Sequence, residues 1–387
     1  MQKTLTMRQG MLVFILAMVG LAVVGSVVQN AWGIYGLAIT ELLILSFAVI
    51  PALLYKVDFK EVFSVKAPSI RQVMGSLLIW FGTYLIVMLV TQVIMYFFPE
   101  GFLAVSDSMS DLFSSSAILV ALLIVAVMPA ICEEMLHRGF ILHTLGAQGK
   151  WQRVLLMGFV FGVFHLDPYR FVPTALLGMA FTFVMIETNN IIIPMFMHFI
   201  NNALAVLFSF VESETPLLTQ DQLLMTLGTY LVIAATAPFL LMYGTKLIRK
   251  PGFKMKTKGK IIAVSVSLLF FLIGGYTLSS LDLNTEPLFI SNMSMGVNHE
   301  TTPHSLPFEV EQKDTYNLNL EMELEQGLGR LSISDSSSLV VFDTTAQQLT
   351  LTQGIDLMPG EYTCNIAFIF DEAVEGYGNC TINIRID

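Results

Sequence analysis

Nine stretches of this chain are apolar over lengths that reach or approach a bilayer's thickness, and that alone removes most folds from consideration. They lie near 11–28, 32–55, 73–98, 116–147, 152–166, 171–187, 190–210, 222–248 and 261–279. A hydrocarbon core about 30 Å thick takes about 20 helical residues. Inside it every backbone N–H and C=O must be satisfied within the segment, so each stretch is expected to be an α-helix. The composition agrees, with 55% hydrophobic and only 13% charged residues and a mean hydropathy of +0.70, against the roughly one-quarter charged of soluble domains. The 27 Gly, 14 Pro and 3 Cys are too few for a collagen-like, disordered or disulfide-dense chain. A pI near 5.1 argues against nucleic acid as a partner. The first stretch follows a basic start, MQKTLTMR, but outruns the roughly 7 to 15 apolar residues of a signal peptide and is expected to remain as an anchor.

The net charge of −10 conceals two regions of opposite sign. Up to Leu281 the chain carries a net of +4, and from there on −14. One region is expected to meet lipid and the other water. Basic residues in short loops mark the cytoplasmic side. Lys3 and Arg8, then Lys56, Lys60, Lys66 and Arg71, then Lys150 and Arg153, then the run from Lys246 to Lys260 fall in alternate connections. The intervening loops are acidic, with Glu100, Asp107 and Asp111 in one and Glu212, Glu214 and Asp221 in another, Arg170 being the exception. This predicts a plasma-membrane protein with its N-terminus cytoplasmic and its C-terminal domain extracellular. The expected organisation is 1–72 (two spans and a cytoplasmic amphipathic loop), 73–248 (a helical core), 249–280 (a basic loop and the last span) and 281–387 (an acidic β domain).

From about Ser291 the hydrophobic period shortens to two, in segments such as TYNLNLEMELEQ, SLVVF and CTINIRI separated by Gly, Asp and Ser turns. About seven strands of a small β-sandwich are predicted. Cys364 and Cys380 fall on the last two strands, where opposed positions could form a cross-strand disulfide or remain two reduced structural thiols. His299 and His304 sit in a Pro-containing linker and are expected to be solvated.

Ionisable residues within spans cost about 2.5 to 3.5 kcal/mol each on insertion scales, so each needs a partner or a task. Most fall in three segments: MPAICEEMLHRGF with Glu133, Glu134, His137 and Arg138; FVFGVFHLD with His165; and IPMFMHFINNAL with His198, Asn201 and Asn202. Glu134 and Arg138 are four apart and can pair along one helix face. Glu133 points about 100° away from that pair, which suits an unpaired carboxylate acting as a general base. Pro129 removes a backbone hydrogen bond and predicts a bend beside it. Glu133 and His165 lie 16 residues either side of Gly149, so in antiparallel helices they stand at equal depth. His198 and Asn202 share a face and offer two donors for an oxyanion. The set reads as a peptide hydrolase. The plainer reading has Glu134–Arg138 as a structural ion pair and His198 as a bridge between helices, with His137 and His143 interfacial and Asn201, Phe161 and Cys132 as packing residues.

In order and spacing, Glu133-Glu134-x-x-x-Arg138, Phe161-x-x-x-His165 and His198-x-x-x-Asn202 resemble the EExxxR, FxxxH and HxxxN/D motifs of the CPBP family. That family groups type II CAAX prenyl endopeptidases with bacterial Abi proteins linked to bacteriocin processing and self-immunity. The resemblance spans about residues 73–248. It implies an all-α polytopic membrane helix bundle in which Glu133 and His165 activate water while His198 and Asn202 stabilise the oxyanion. Glu134 and Arg138 match supporting positions. The family is viewed as glutamic and metal-independent, so no cofactor is expected, and no HExxH occurs in the chain. A zinc-dependent variant using Glu133, His137, His165 and His198 is the alternative. The expected partners are membrane lipid and a hydrophobic or lipidated peptide, CAAX-like or bacteriocin-type. Competing readings are a non-proteolytic immunity or scaffold protein and a surface receptor acting through its β domain, whose ligand the sequence does not specify.

Overall fold

A computed structural model describes residues 5–210, 220–249, 252–280, 289–297, 304–311, 313–324, 328–369 and 376–386. The chain divides into two compact units, Met1–Ser280 and Leu281–Asp387. The expected acidic positions Glu212 and Glu214, and His299 in the linker, lie outside the described residues.

The first unit is helical: α1 (Met7–Leu54), α2 (Ile70–Phe97), α3 (Pro99–Ser114), α4 (Ile118–Thr144), α5 (Lys150–Phe164), α6 (Pro168–Thr188), α7 (Ile192–Ser209), α8 (Gln222–Ile248) and α9 (Thr257–Ser280). Among the described residues, seven of these helices, all but α3 and α5, are long and apolar enough to cross a membrane. Two features separate that number from the nine apolar stretches of the sequence. The first two stretches both fall in α1, whose 48 residues would measure about 72 Å if straight, more than twice a bilayer core. The helix is broken at Gly33, whose φ of 52° and ψ of −127° are not helical. The chain reverses there: Gln29 donates to Thr40 Oγ1 at 3.1 Å, and Gly20 lies against Phe47 and Leu43. The fifth stretch forms α5, which at 15 residues reaches about 22 Å and falls short of a full crossing.

Three hydrophobic clusters make up the core of the described residues of this unit, the third holding Ile34, Phe113 and Val206. One joins Ile44 and Ala48 of α1 with Leu136 and Phe140 of α4 and Phe164 of α5. A second joins Ile79 of α2, Phe181 of α6 and Met197 of α7. Small residues set the closest approaches, as where Gly75 of α2 meets the Gly244 carbonyl of α8, with no room for a Cβ on either side.

The second unit is all β, with eight strands where about seven were expected: β1 (Phe289–Val297), β2 (His304–Val310), β3 (Asp314–Leu324), β4 (Leu328–Asp335), β5 (Val340–Ala346), β6 (Gln348–Leu357), β7 (Gly360–Ile369) and β8 (Gly376–Ile386). They form two four-stranded sheets in the orders β1-β8-β3-β6 and β2-β7-β4-β5, the arrangement of an eight-stranded jelly roll. Alternate residues of each sheet meet in one core, including Leu318, Leu320 and Met322 of β3, Leu331 and Ile333 of β4, and Ile366 of β7. His304, expected in the linker, opens β2.

This topology corrects the cysteine geometry. β7 and β8 belong to different sheets, so Cys364 and Cys380 are not opposed across a ladder: Cys364 stands opposite Leu306 and Ile333, and Cys380 opposite Met293 and Met322. Any link between them would run from sheet to sheet. The side chain of Cys380 lies outside the described residues.

Candidate active site

Helix α4 is not uniform. A π-helical turn at Leu122–Val127 and another at Met135–Ile141 flank the regular segment Met128–Glu134, which carries Pro129 and both glutamates. Such π turns interrupt the usual ladder and are frequent at functional sites. Here they bracket the one segment in which two adjacent carboxylates must face different surroundings.

Glu134 is fully buried. Its Oε1 accepts from Arg138 Nη1 at 2.8 Å and pairs with His198 Nδ1 of α7 at 2.9 Å. Arg138 also donates to the Gly178 carbonyl of α6 at 3.0 Å, and its guanidinium lies 4.3 Å from the centre of the Phe161 ring. The expected ion pair therefore exists, and it carries a third member that helical spacing within α4 could not reveal. Counter-charge, hydrogen bonds and an aromatic face offset much of the cost of burying this pair, although Glu134 Oε2 and Arg138 Nε have no hydrogen-bond partner among the described residues.

Glu133 faces elsewhere. Together with His165, His198 and Asn202 it lines a cavity of about 980 Å³, and its Oε2 has no hydrogen-bond partner among the described residues. His165 caps the end of α5, and its Nδ1 lies 2.8 Å from the Phe161 carbonyl. A carbonyl only accepts, so Nδ1 carries the proton and, in the neutral ring, Nε2 keeps its lone pair for the cavity. Asn202 donates through Nδ2 to the Val125 carbonyl of the first π turn at 2.9 Å. The second N–H of that amide is left for other work. Asn201, expected only to pack, also lines the cavity and donates to Asn202 Oδ1 at 3.3 Å.

Phe161 organises the group. His137, His165 and His198 lie edge-on to it at 5.2, 4.9 and 5.8 Å between ring centres. His137 departs from the interfacial position expected of it: it is 0% exposed, Nδ1 donates to the Glu133 carbonyl at 2.8 Å, and Phe164 stands 4.6 Å from its ring. It forms no part of the cavity wall. His143, also expected at the interface, is half-buried beside a separate cavity of about 780 Å³ that Arg138 and Arg153 also line.

Among the residues of the main cavity that escaped the sequence reading as site residues are Glu41 of α1 and Arg170 of α6. Asp167, which also lines it, caps α6 by accepting from the backbone N–H groups of Tyr169 and Arg170 at 2.9 and 3.3 Å. The signal for Glu41 was an isolated carboxylate in the apolar run IYGLAITELLIL.

Among the described residues no three His, Cys, Asp or Glu side chains are grouped to hold an ion, and His137, one of the four expected ligands, is turned into the Phe161–Phe164 wall.

Residues 115–204 match the family model described as Rce1-like, type II CAAX prenyl endopeptidase Rce1-like. Over those residues the chain is similar to type II CAAX prenyl endopeptidases. The matched segment runs from just before α4 into α7 and holds all three motifs, within a helical unit whose described residues include seven helices long and apolar enough to cross a membrane. Glu41 lies before the matched residues, and α8, α9 and the β unit lie after them. No curated protein and no solved structure matches the chain.

Proposed function

We propose that this protein is a glutamic intramembrane endopeptidase that hydrolyses a peptide bond in a hydrophobic or lipidated peptide. The supporting observation is that four side chains from α4, the end of α5 and α7, namely Glu133, His165, His198 and Asn202, line one cavity. In this reading Glu133 takes a proton from water, helped by the unprotonated Nε2 of His165, and the oxygen attacks the peptide carbonyl. The oxyanion is met by His198 and Asn202. That role requires His198 with protons on both nitrogens, Nδ1–H held by Glu134 and Nε2–H directed at the oxyanion, while Asn202 uses the N–H not given to Val125. Phe161 and Arg138 hold the imidazoles in place and exclude water from behind them.

The basic residues between the apolar stretches support a cytoplasmic N-terminus and an extracellular β unit. In this reading the break at Gly33 gives α1 two membrane limbs, and the peptide enters the cavity from within the bilayer. A prenylated-cysteine reporter peptide tests the proposal. Glu133→Gln keeps size and hydrogen bonding but removes the base, and turnover is expected to fall by about 10²-fold or more. Undiminished turnover would reject the assignment. Chelation is expected to leave wild-type turnover unchanged, whereas loss on chelation with recovery on added zinc would establish the metal-dependent alternative.

A further inference from the structure

Glu41 stands in the middle of an apolar limb of α1, 2% exposed, and lines the same cavity as Glu133. Its Oε2, like that of Glu133, is buried without a hydrogen-bond partner among the described residues. The limb packs on α4 through Ile44 and Ala48, beside Cys132 and Leu136. Among the described residues no ion pair reaches Glu41 or Glu133, although Arg170 lies on the wall of the same cavity. A membrane carboxylate with no partner needs a task. The other ionisable groups around the cavity are Cys132 behind the Glu133 turn of α4, His165 and Asp167 at the α5–α6 junction, Arg170 of α6 and His198 of α7. Asp167 is occupied in capping α6, and Arg170 donates to the Met109 sulfur at 2.8 Å.

Two largely buried carboxyl groups facing one cavity cannot both be ionised at little cost, so they hold one proton between them. Hydrolysis needs both of the resulting forms, since one proton must be accepted from water and another delivered to the departing nitrogen. Resting on the hydrolase reading above, we propose that Glu41 is the proton donor to the leaving amine, with Glu133 the acceptor. The ionised Glu133 takes a proton from water as the C–O bond forms. When the C–N bond of the tetrahedral intermediate breaks, the Glu41 carboxyl gives its proton to nitrogen. The products leave as acid and amine, and the proton on Glu133 returns to Glu41, restoring the pair. One water is consumed and no oxidant, reductant or metal is needed.

The test compares leaving groups. A prenylated-cysteine reporter peptide with the ordinary scissile amide is assayed beside its thioester analogue, whose thiolate departs without a proton. Glu41→Gln is expected to lower amide turnover by about 10²-fold or more while thioester hydrolysis stays within about threefold of wild type. The retained thioester activity also reports a folded protein. Equal losses on both substrates, or no loss on either, overturn the donor role. Glu133→Gln is measured in parallel and is expected to lose both activities. If Glu133→Gln keeps both, the underlying hydrolase reading fails, whatever Glu41→Gln does.

Discussion

Glu134 serves two partners with one oxygen, Arg138 at 2.8 Å on its own helix and His198 at 2.9 Å from α7. Replacing it with Gln keeps the shape but weakens the hold on the imidazole and leaves Arg138 without its counter-charge. In the proposed mechanism His198 then donates poorly to the oxyanion while peptide binding is unaffected. Glu134→Gln is expected to lower kcat about 10-fold or more with little change in KM, measured on the same reporter peptide. Part of this geometry was legible in the sequence: three short motifs name Glu133, Glu134, Arg138, His165, His198 and Asn202, of which Glu133, His165, His198 and Asn202 line one cavity and Arg138, His165 and His198 lie against Phe161. The Glu134–His198 contact was not, because it joins residues on different helices and spacing reports only neighbours along one helix. Glu41 was hidden for a related reason. A single glutamate among apolar residues has no period, and its relation to Glu133 arises only when α1 packs on α4.

At the scale of elements, close packing fixes the group. Gly178 of α6 presents its carbonyl to Arg138, and a Cβ added there would fall 2.8 Å from the Cβ of Phe161. Gly178→Ala is therefore expected to push α6 from α5, destabilising the helical unit by about 1 to 3 kcal/mol, seen as a lowered Tm in detergent. Turnover should fall with it, since Phe161 and Arg138 move together. The apolar runs announced most of the helices, but length alone does not say what a run becomes. The run at 152–166 yields a helix too short to cross, and the first two runs join into one helix broken at a glycine. The strands were legible from their alternation, as in β3, where Tyr316, Leu318, Leu320, Met322 and Leu324 are buried. Their partners were not: β7 and β8 follow one another in the chain yet lie in different sheets, so neighbouring cysteines in sequence order are not neighbours in a ladder.

For the whole molecule, the division at Leu281 implies that the β unit carries its own core, in which Tyr316, Leu318 and Leu331 are at most 1% exposed. Residues 281–387 produced alone are expected to fold and unfold cooperatively. On the outer face Arg330 binds Asp343 through two hydrogen bonds at 3.0 and 2.7 Å, which holds the Asp343 carboxyl below its usual range. The Ser337 hydroxyl and the Leu339 and Ser337 backbone N–H groups do the same for Asp335. A carboxyl depressed in the folded state adds stability that is present above its unfolded value, about 3.9, and is lost as the pH falls through the folded value. The unit should therefore lose Tm on acidification below about pH 4. Asp343→Asn should lower Tm at neutral pH and show a smaller acid loss than the wild type, because one contributor is already gone.

Synthesis begins at the N-terminus, so the limb of α1 bearing Glu41 leaves the ribosome before the segment bearing Glu133 has been made. The wall that carries Glu133 is thus the later-made part of the pocket, complete only once α4 has packed on α1.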